Sequence, residues 1–327
     1  MSKKSIVVTG VGRHSLGEAF VRNYVGQRSE VQIIGIDQAA NPDLTGLTKC
    51  CQMEVDLNPL HCSGGLKRFA TAFVQSLEKI VLGTGSTGIG CLVQCAGVYD
   101  FGSFLEHNVE RRERVLGLNV LGVTEVVYAA MALNDRLKIG NDREFTHVLL
   151  GSSHGLYARG GRPIYAPSKA YGIDLCTSLI DGREVAECIY VAAGPIDTPM
   201  LHRNHWVTKA RGSEKFFDRV LSGPRDKYRS IFVQCDEAAV DDAAREWCAA
   251  EKTAVRMAMT KYMAARSQAY SKDVGVLSPE SCAAKLVDML LSDELESGVW
   301  MLTCGSESDV VRVKTVPFSK LDRGRMF

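Results

Sequence analysis

Short, nearly unbroken apolar runs alternate along this chain with longer stretches in which apolar residues recur every three or four positions. The runs are SIVVT (5–9), VQIIGI (31–36), CCQMEV (50–55), IGCLVQCA (89–96), THVLLG (146–151) and ECIYVA (187–192), and each reads as a strand. Helical periodicity fills 16–26, 66–82, 105–137 and 165–181 between them. Strands that are apolar on both faces and separated by helices indicate an α/β protein, with a parallel sheet covered on both sides. Right-handed crossovers then make the sheet doubly wound.

The pattern changes after residue 200. From Leu201 to Lys272 there is no strand signal, and DEAAVDDAAREWCAAEKTAVRMAMTKYMAARSQAY reads as one or two long Ala-rich helices. SPESCAAKLVDMLLSDE then opens a helix with a serine cap and Pro279 at its first position, and VWMLTC (299–304) reads as a last strand. Internal repeats and interdomain linkers are absent from the sequence, so residues 1–327 read as a single domain. Residues 201–277 are then a helical insertion, serving as a substrate lid or a subunit contact.

Composition narrows the class. Apolar residues are 46%, charged residues 24% and formal net charge is +1, which gives no reason to expect nucleic acid or a membrane as partner. No apolar run reads as a membrane span. The eleven cysteines are scattered, several in apolar runs, and no CxxC pair marks a zinc ribbon. That usage points to a cytoplasmic protein without structural disulfides or metal.

Candidate chemistry begins in TGVGRHSLGEAF, where Gly10, Gly12 and Gly17 occupy the turn from first strand to first helix. Glycines let the backbone approach a pyrophosphate, and the helix N-terminus adds partial positive charge. Asp37 ends the second strand twenty residues after Gly17, where a carboxylate binds ribose hydroxyls and repels a 2′-phosphate. The sheet is therefore expected to be Rossmann-like, with NAD favoured over NADP. Arg13 in the glycine loop is the rival, as a partner for a 2′-phosphate.

RGGRPIYAPSKAY places Tyr165 four residues before Lys169, stacked on one helix face. A lysine beside a phenol favours the phenolate and lowers its pKa, which makes the tyrosine an acid/base.

Taken in order, these motifs resemble the short-chain dehydrogenase/reductase family. Thr9-Gly10 followed by Ser15-Leu16-Gly17 is similar to its glycine motif, one residue longer and with serine for the middle glycine. Asp56, in MEVDLN before Leu57, matches the family aspartate that contacts adenine. Gln94-Cys95-Ala96-Gly97 stands where the family has NNAG, and Asn119 in GLNVLG matches the asparagine of the following helix. Ser152 lies thirteen residues before Tyr165, as the family serine does, with Ser153 as its rival. Tyr165 to Lys169 is YxxxK. Ala193-Gly194-Pro195-Ile196-Asp197-Thr198 corresponds to the PGxxxT region.

The resemblance implies that Gly10, Gly12, Ser15, Leu16, Gly17, Asp37, Asp56, Leu57, Cys95, Ala96, Gly97, Pro195, Ile196 and Thr198 line the cofactor, together with Tyr165 and Lys169. It implies that Tyr165 exchanges the proton with an alcohol or carbonyl substrate. Ser152 would hold the substrate oxygen, Lys169 would bond the nicotinamide ribose, and Asn119 would anchor a water reaching Lys169. A homodimer or homotetramer, paired through helices 105–137 and 165–181, is implied as well. Two other readings stand beside it: a dinucleotide-binding sensor or scaffold, and a redox-neutral epimerase or dehydratase. His202 and His205 are expected to be lid histidines rather than metal ligands. His154 is divided between the substrate pocket and a surface loop. Arg111, Arg112 and Arg114, among Glu110 and Glu113, are expected on a solvated helix face.

Overall fold

The computed structural model describes residues 4–28, 30–47, 49–137, 145–156, 161–196, 198, 200, 277–292, 295–304 and 311–321. The insertion expected over 201–277 lies outside them except for Leu277, as do Asp197, His202 and His205.

Eight strands form one sheet: β1 (Lys4–Thr9), β2 (Ile33–Asp37), β3 (Cys50–Glu54), β4 (Gly88–Gln94), β5 (Thr146–Leu150), β6 (Glu187–Ala193), β7 (Gly298–Cys304) and β8 (Val311–Val316). Their order is β3-β2-β1-β4-β5-β6-β7-β8. All neighbours are parallel except β7 and β8. The doubly wound α/β sheet expected from the pattern is present. The eighth strand was not expected. VRVKTV alternates polar and apolar residues because it lies at the sheet edge, so it carries no continuous apolar run.

The described helices are α1 (Leu16–Gln27), α2 (Gly65–Gly83), α3 (Val109–Leu116), α4 (Val123–Arg136), α5 (Tyr165–Asp181) and α6 (Pro279–Leu290). Successive residues of β1 serve opposite layers. Val7 joins the core under α2, α4 and α5, while Val8 joins Phe20 of α1 and Leu286 and Val287 of α6. This two-sided burial is the reason the strands read as unbroken apolar runs.

The helical stretch expected over 105–137 starts later: a short 3₁₀ turn (Phe104–Glu106) precedes it, and the helix then runs from Val109 to Arg136, with a π turn over Gly117–Gly122 joining α3 to α4. The apolar period runs on through GLNVLG, so the sequence pattern does not show the π turn. Val109–Arg136 also reaches the length and apolarity of a membrane span, contrary to expectation. Half of its most apolar window is buried in the protein, where α4 packs on α2 and β4.

Candidate active site

Strand order reverses between β1 and β4, and crevices outside the carboxyl ends of strands at such a point bind ligands. The expected cofactor residues gather there. Gly10 has φ +73°, and a Cβ on it would stand 2.5 Å from Ala96 N, so only glycine allows the turn after β1 to lie against the turn after β4. Thr9 ties the two turns together: its carbonyl accepts from Cys95 N (3.1 Å) and its hydroxyl from Ala96 N (3.2 Å). Ser15, standing in the glycine motif, caps α1 by accepting from Glu18 N (3.0 Å) and donates to Gly10 O (2.8 Å). The lengthened loop is thus held closed onto the helix start, with Leu16 and Gly17 in its first turn.

Asp37 ends β2 and faces the glycine loop. Its carboxylate accepts from Gly12 N (2.7 Å) and Gln38 N (2.8 Å). Burial raises its pKa, and the two N–H groups oppose that rise. Arg13 turns away from this carboxylate and makes a forked pair with Asp43, its Nε 2.8 Å from Oδ2. Asp56 accepts from Asn58 N (2.9 Å) and pairs with His61 at 2.6 Å. Burial would raise its pKa, but the bonds from Asn58, His61 and Gln38 outweigh burial and lower it. Leu57 is buried beside it. Pro195 and Ile196 continue β6 and are held by Leu277: its N–H donates to Pro195 O (2.8 Å), and Ile196 pairs with it in an isolated bridge. Thr198 N donates to Ile196 O (2.8 Å).

The four expected catalytic residues meet at the ends of β4, β5 and α5, and all are nearly buried. Tyr165 is the first residue of α5 and Lys169 lies one turn on. The Ser152 hydroxyl stands close enough to the Tyr165 phenol to favour its ionised form. Ser153 instead opens the short turn after it, so Ser152 is the serine brought to the tyrosine. Tyr190 on β6 holds Ser152 in place: its hydroxyl accepts from Ser152 N (2.9 Å) and donates to Ser152 O (3.1 Å). Asn119 sits in the π turn. Its Oδ1 accepts from Val98 N (2.9 Å), and its Nδ2 donates to Val98 O (2.8 Å) and Ser168 Oγ (3.1 Å). That side chain fastens the β4 loop to α5, with both N–H groups used and one lone pair of Oδ1 left over.

The expected effect of Lys169 on Tyr165 is not the dominant one. Burial raises the phenol to about 12; the Ser152 hydroxyl and Arg162 lower it, and Tyr99 raises it. Lys169 Nζ stands 5.9 Å from the Tyr165 ring centre and donates to Leu150 O at 3.3 Å. Burial brings Lys169 down to about 8, with Cys95 raising it. A Cβ on Gly97 would stand 3.1 Å from that Nζ, so glycine leaves the ammonium open to a ligand crossing the loop.

Two aromatic-site residues were not anticipated. Tyr99 meets Tyr165 edge-on, with ring centres 4.6 Å apart, and Arg162 donates to the Tyr99 hydroxyl at 2.9 Å. Arg162 also lies over the Tyr99 and Phe101 rings. His154 lines the site, its ring 6.1 Å from that of Tyr165 and its Nδ1 3.2 Å from Ser152 Oγ. Arg111 is not on a solvated face: it forms a forked pair with buried Asp100, joined at 3.8 Å by Arg114. Burial raises the Asp100 pKa, but Arg111 outweighs it and the carboxyl titrates below its ordinary value. The signal was present as two arginines three apart on a helix, but their acidic partner comes from another loop.

The model of the short chain dehydrogenase family matches residues 4–206. This chain belongs to that family, whose members are oxidoreductases, and the cradle described above fits a nicotinamide dinucleotide. Among solved structures, it is similar to a short chain dehydrogenase family protein from Francisella tularensis, at 18% identity and TM-score 0.60, covering 92% of this chain and 97% of that one. It is also similar to the aldohexose dehydrogenase of Thermoplasma acidophilum at 16% identity and TM-score 0.58, covering 91% of each chain. A 4-hydroxyisoleucine dehydrogenase complexed with NADH is similar at 16% identity and TM-score 0.59, covering 93% of this chain and 99% of that one. No curated protein matches the sequence.

Proposed function

We propose that the protein interconverts an alcohol and a carbonyl with NAD, using Tyr165 as the proton donor and acceptor. The single observation that carries this reading is the buried contact of the Tyr165 phenol with the Ser152 hydroxyl, one helical turn from Lys169. The dinucleotide supplies or takes the hydride when bound. A substrate oxygen seated between Ser152 and Tyr165 receives hydrogen bonds from both hydroxyls. In reduction, the Tyr165 O–H proton would go to that oxygen. In oxidation, the substrate hydroxyl proton returns to Tyr165. With its pKa raised to about 12, Tyr165 keeps its proton at neutral pH, so the acid needed for reduction is in place. The base needed for oxidation requires positive charge nearby, which protonated Lys169, 5.9 Å from the Tyr165 ring, would supply.

Support for NAD over NADP comes from Asp37 at the end of β2, where a carboxylate would repel a 2′-phosphate, and from Arg13, which is paired with Asp43. Support for turnover over a sensor or scaffold comes from the same hydroxyl pair, because a pure binder has no use for a buried phenol joined to a serine. A panel of secondary alcohols with NAD and of ketones with NADH, followed by reduced-nicotinamide absorbance, tests the reading. Turnover of at least one pair is expected. Tight dinucleotide binding with no turnover of any would favour the sensor.

A further inference from the structure

Beneath the catalytic residues, the layer between the sheet and helices α4 and α5 holds a second cluster of reactive side chains. His147 on β5, Cys176 on α5 and Cys188 on β6 are each 0% exposed. Their donor atoms lie within 4.8 Å of one another. His147 Nδ1 is 3.4 Å from Cys188 Sγ. On its other side, His147 Nε2 is 3.1 Å from Gln94 Nε2, whose amide also donates to Val123 O at 3.1 Å. An amide N–H aimed at Nε2 leaves the ring proton on Nδ1, facing sulfur. Cys176 is the thiol drawn down: burial raises its pKa, but hydrogen bonds from Cys188 and His147 outweigh burial. Cys188 is pushed up by burial and by Cys176. Nothing in the proton chemistry of Tyr165 calls for this cluster.

Two thiols and an imidazole converging in an apolar layer are a donor set for a thiophilic metal. Donors around a tetrahedral zinc, at about 2.3 Å for sulfur and about 2.0 Å for nitrogen, stand about 3.5 Å apart. The observed 3.4 Å between His147 and Cys188 meets that spacing, and the third donor, Cys176 Sγ, lies within 4.8 Å of both. Two thiolates and a neutral imidazole balance a divalent cation, leaving no net charge in the core, whereas a monovalent ion would leave a buried negative charge. We propose that His147, Cys176 and Cys188 bind zinc and thereby tie β5, β6 and α5 together beneath Ser152, Tyr165 and Lys169. Binding sends the two thiol protons to solvent and moves the ring proton from Nδ1 to Nε2. The Gln94 amide then turns over to accept that proton with its oxygen, giving up its bond to Val123 O. Three corners of the tetrahedron are protein side chains, and a water is the simplest fourth ligand. The tie has a clear line to the site. Cys188 lies two residues before Tyr190, which holds Ser152, and Cys176 lies on the helix that carries Tyr165 and Lys169.

The test uses untagged full-length protein, measured for metal as purified and again after chelation, unfolding in reductant and refolding with Zn²⁺ or Co²⁺. Refolding is needed because the cluster has no exposed surface. One zinc per chain is expected, and the cobalt form should show the thiolate-to-cobalt charge-transfer band of a two-thiolate site. Cys176→Ala and Cys188→Ala should each lose metal and band, while Cys51→Ala, at an exposed position on β3, should keep both. Should the alanine variants fail to fold, His147→Gln decides in their place. Protein that is metal-free as purified and shows no cobalt band after refolding overturns the proposal. So do Cys176 and Cys188 variants that retain full metal.

Discussion

Replacing Tyr165 with phenylalanine should leave a folded protein that binds its dinucleotide but turns over about 1000-fold more slowly, within the usual range for loss of a positioned acid/base. The ring keeps its place, because the edge-on contact with Tyr99 at 4.6 Å and the burial within α5 do not involve the hydroxyl. No charge is lost either, since a phenol raised to about 12 is neutral at pH 7. What disappears is the polar contact with the Ser152 hydroxyl and the exchangeable proton. The stability cost should therefore stay near 1 kcal/mol. Steady-state turnover, a dinucleotide titration and a melting curve on the same preparation separate these effects. Turnover close to that of the parent protein would remove Tyr165 from the chemistry.

Lys169→Met should show the opposite pairing, a more stable protein that is nearly inactive. Burial lowers Lys169 from 10.5 to about 8. Between those values the unfolded chain holds a proton that the folded protein lacks, so stability rises with pH across that window. Below about pH 8 the penalty is fully present, and the difference corresponds to about 3 kcal/mol. Methionine fills the same volume without charge but leaves Leu150 O without its Nζ donor, a loss of about 1 kcal/mol. A net gain of about 2 kcal/mol at pH 7 is expected, with the melting temperature a few degrees higher. The advantage should shrink as pH rises from about 8 to 10.5 and vanish or reverse above about pH 10.5, as the parent lysine becomes neutral in both states. Activity should fall about 100-fold, since the ammonium that faces Gly97 and neighbours Tyr165 is gone. Melting curves at the two pH values check the sign. A variant destabilised equally at both would mean that Lys169 acts through packing alone.

The parts of this molecule that are local in sequence could be read from it. The inner strands announce themselves as apolar runs because both faces of the sheet are covered, and the glycine turn, Asp37 and the Tyr165–Lys169 pair lie at fixed spacings within single connections. β3, at the opposite edge, was read from its cysteines and Met53 although most of it is not buried. β8 was missed because an edge strand has one half-exposed face. The π turn around Asn119 was missed because the apolar period continues unbroken through it, while Asn119 reaches Val98 and Ser168 only in the folded protein. The raised phenol of Tyr165 was misread for the same reason. Spacing shows the lysine one turn away, but burial, the larger effect, exists only in the folded protein. Asp100 with Arg111, and His147 with Cys176 and Cys188, join separate elements, and no spacing rule brings such residues together.

The measurement that goes most directly to the central claim is a fluorescence titration of NADH and NADPH on the parent protein and on Asp37→Ala. The carboxylate of Asp37 stands at the end of β2 against Gly12, where the adenosine ribose is expected. NADH should bind more tightly than NADPH to the parent, and on Asp37→Ala NADPH should gain as the repulsion is removed. Binding of neither dinucleotide, or a preference that Asp37→Ala leaves unchanged, would contradict the placement of the cofactor and the oxidoreductase reading built on it.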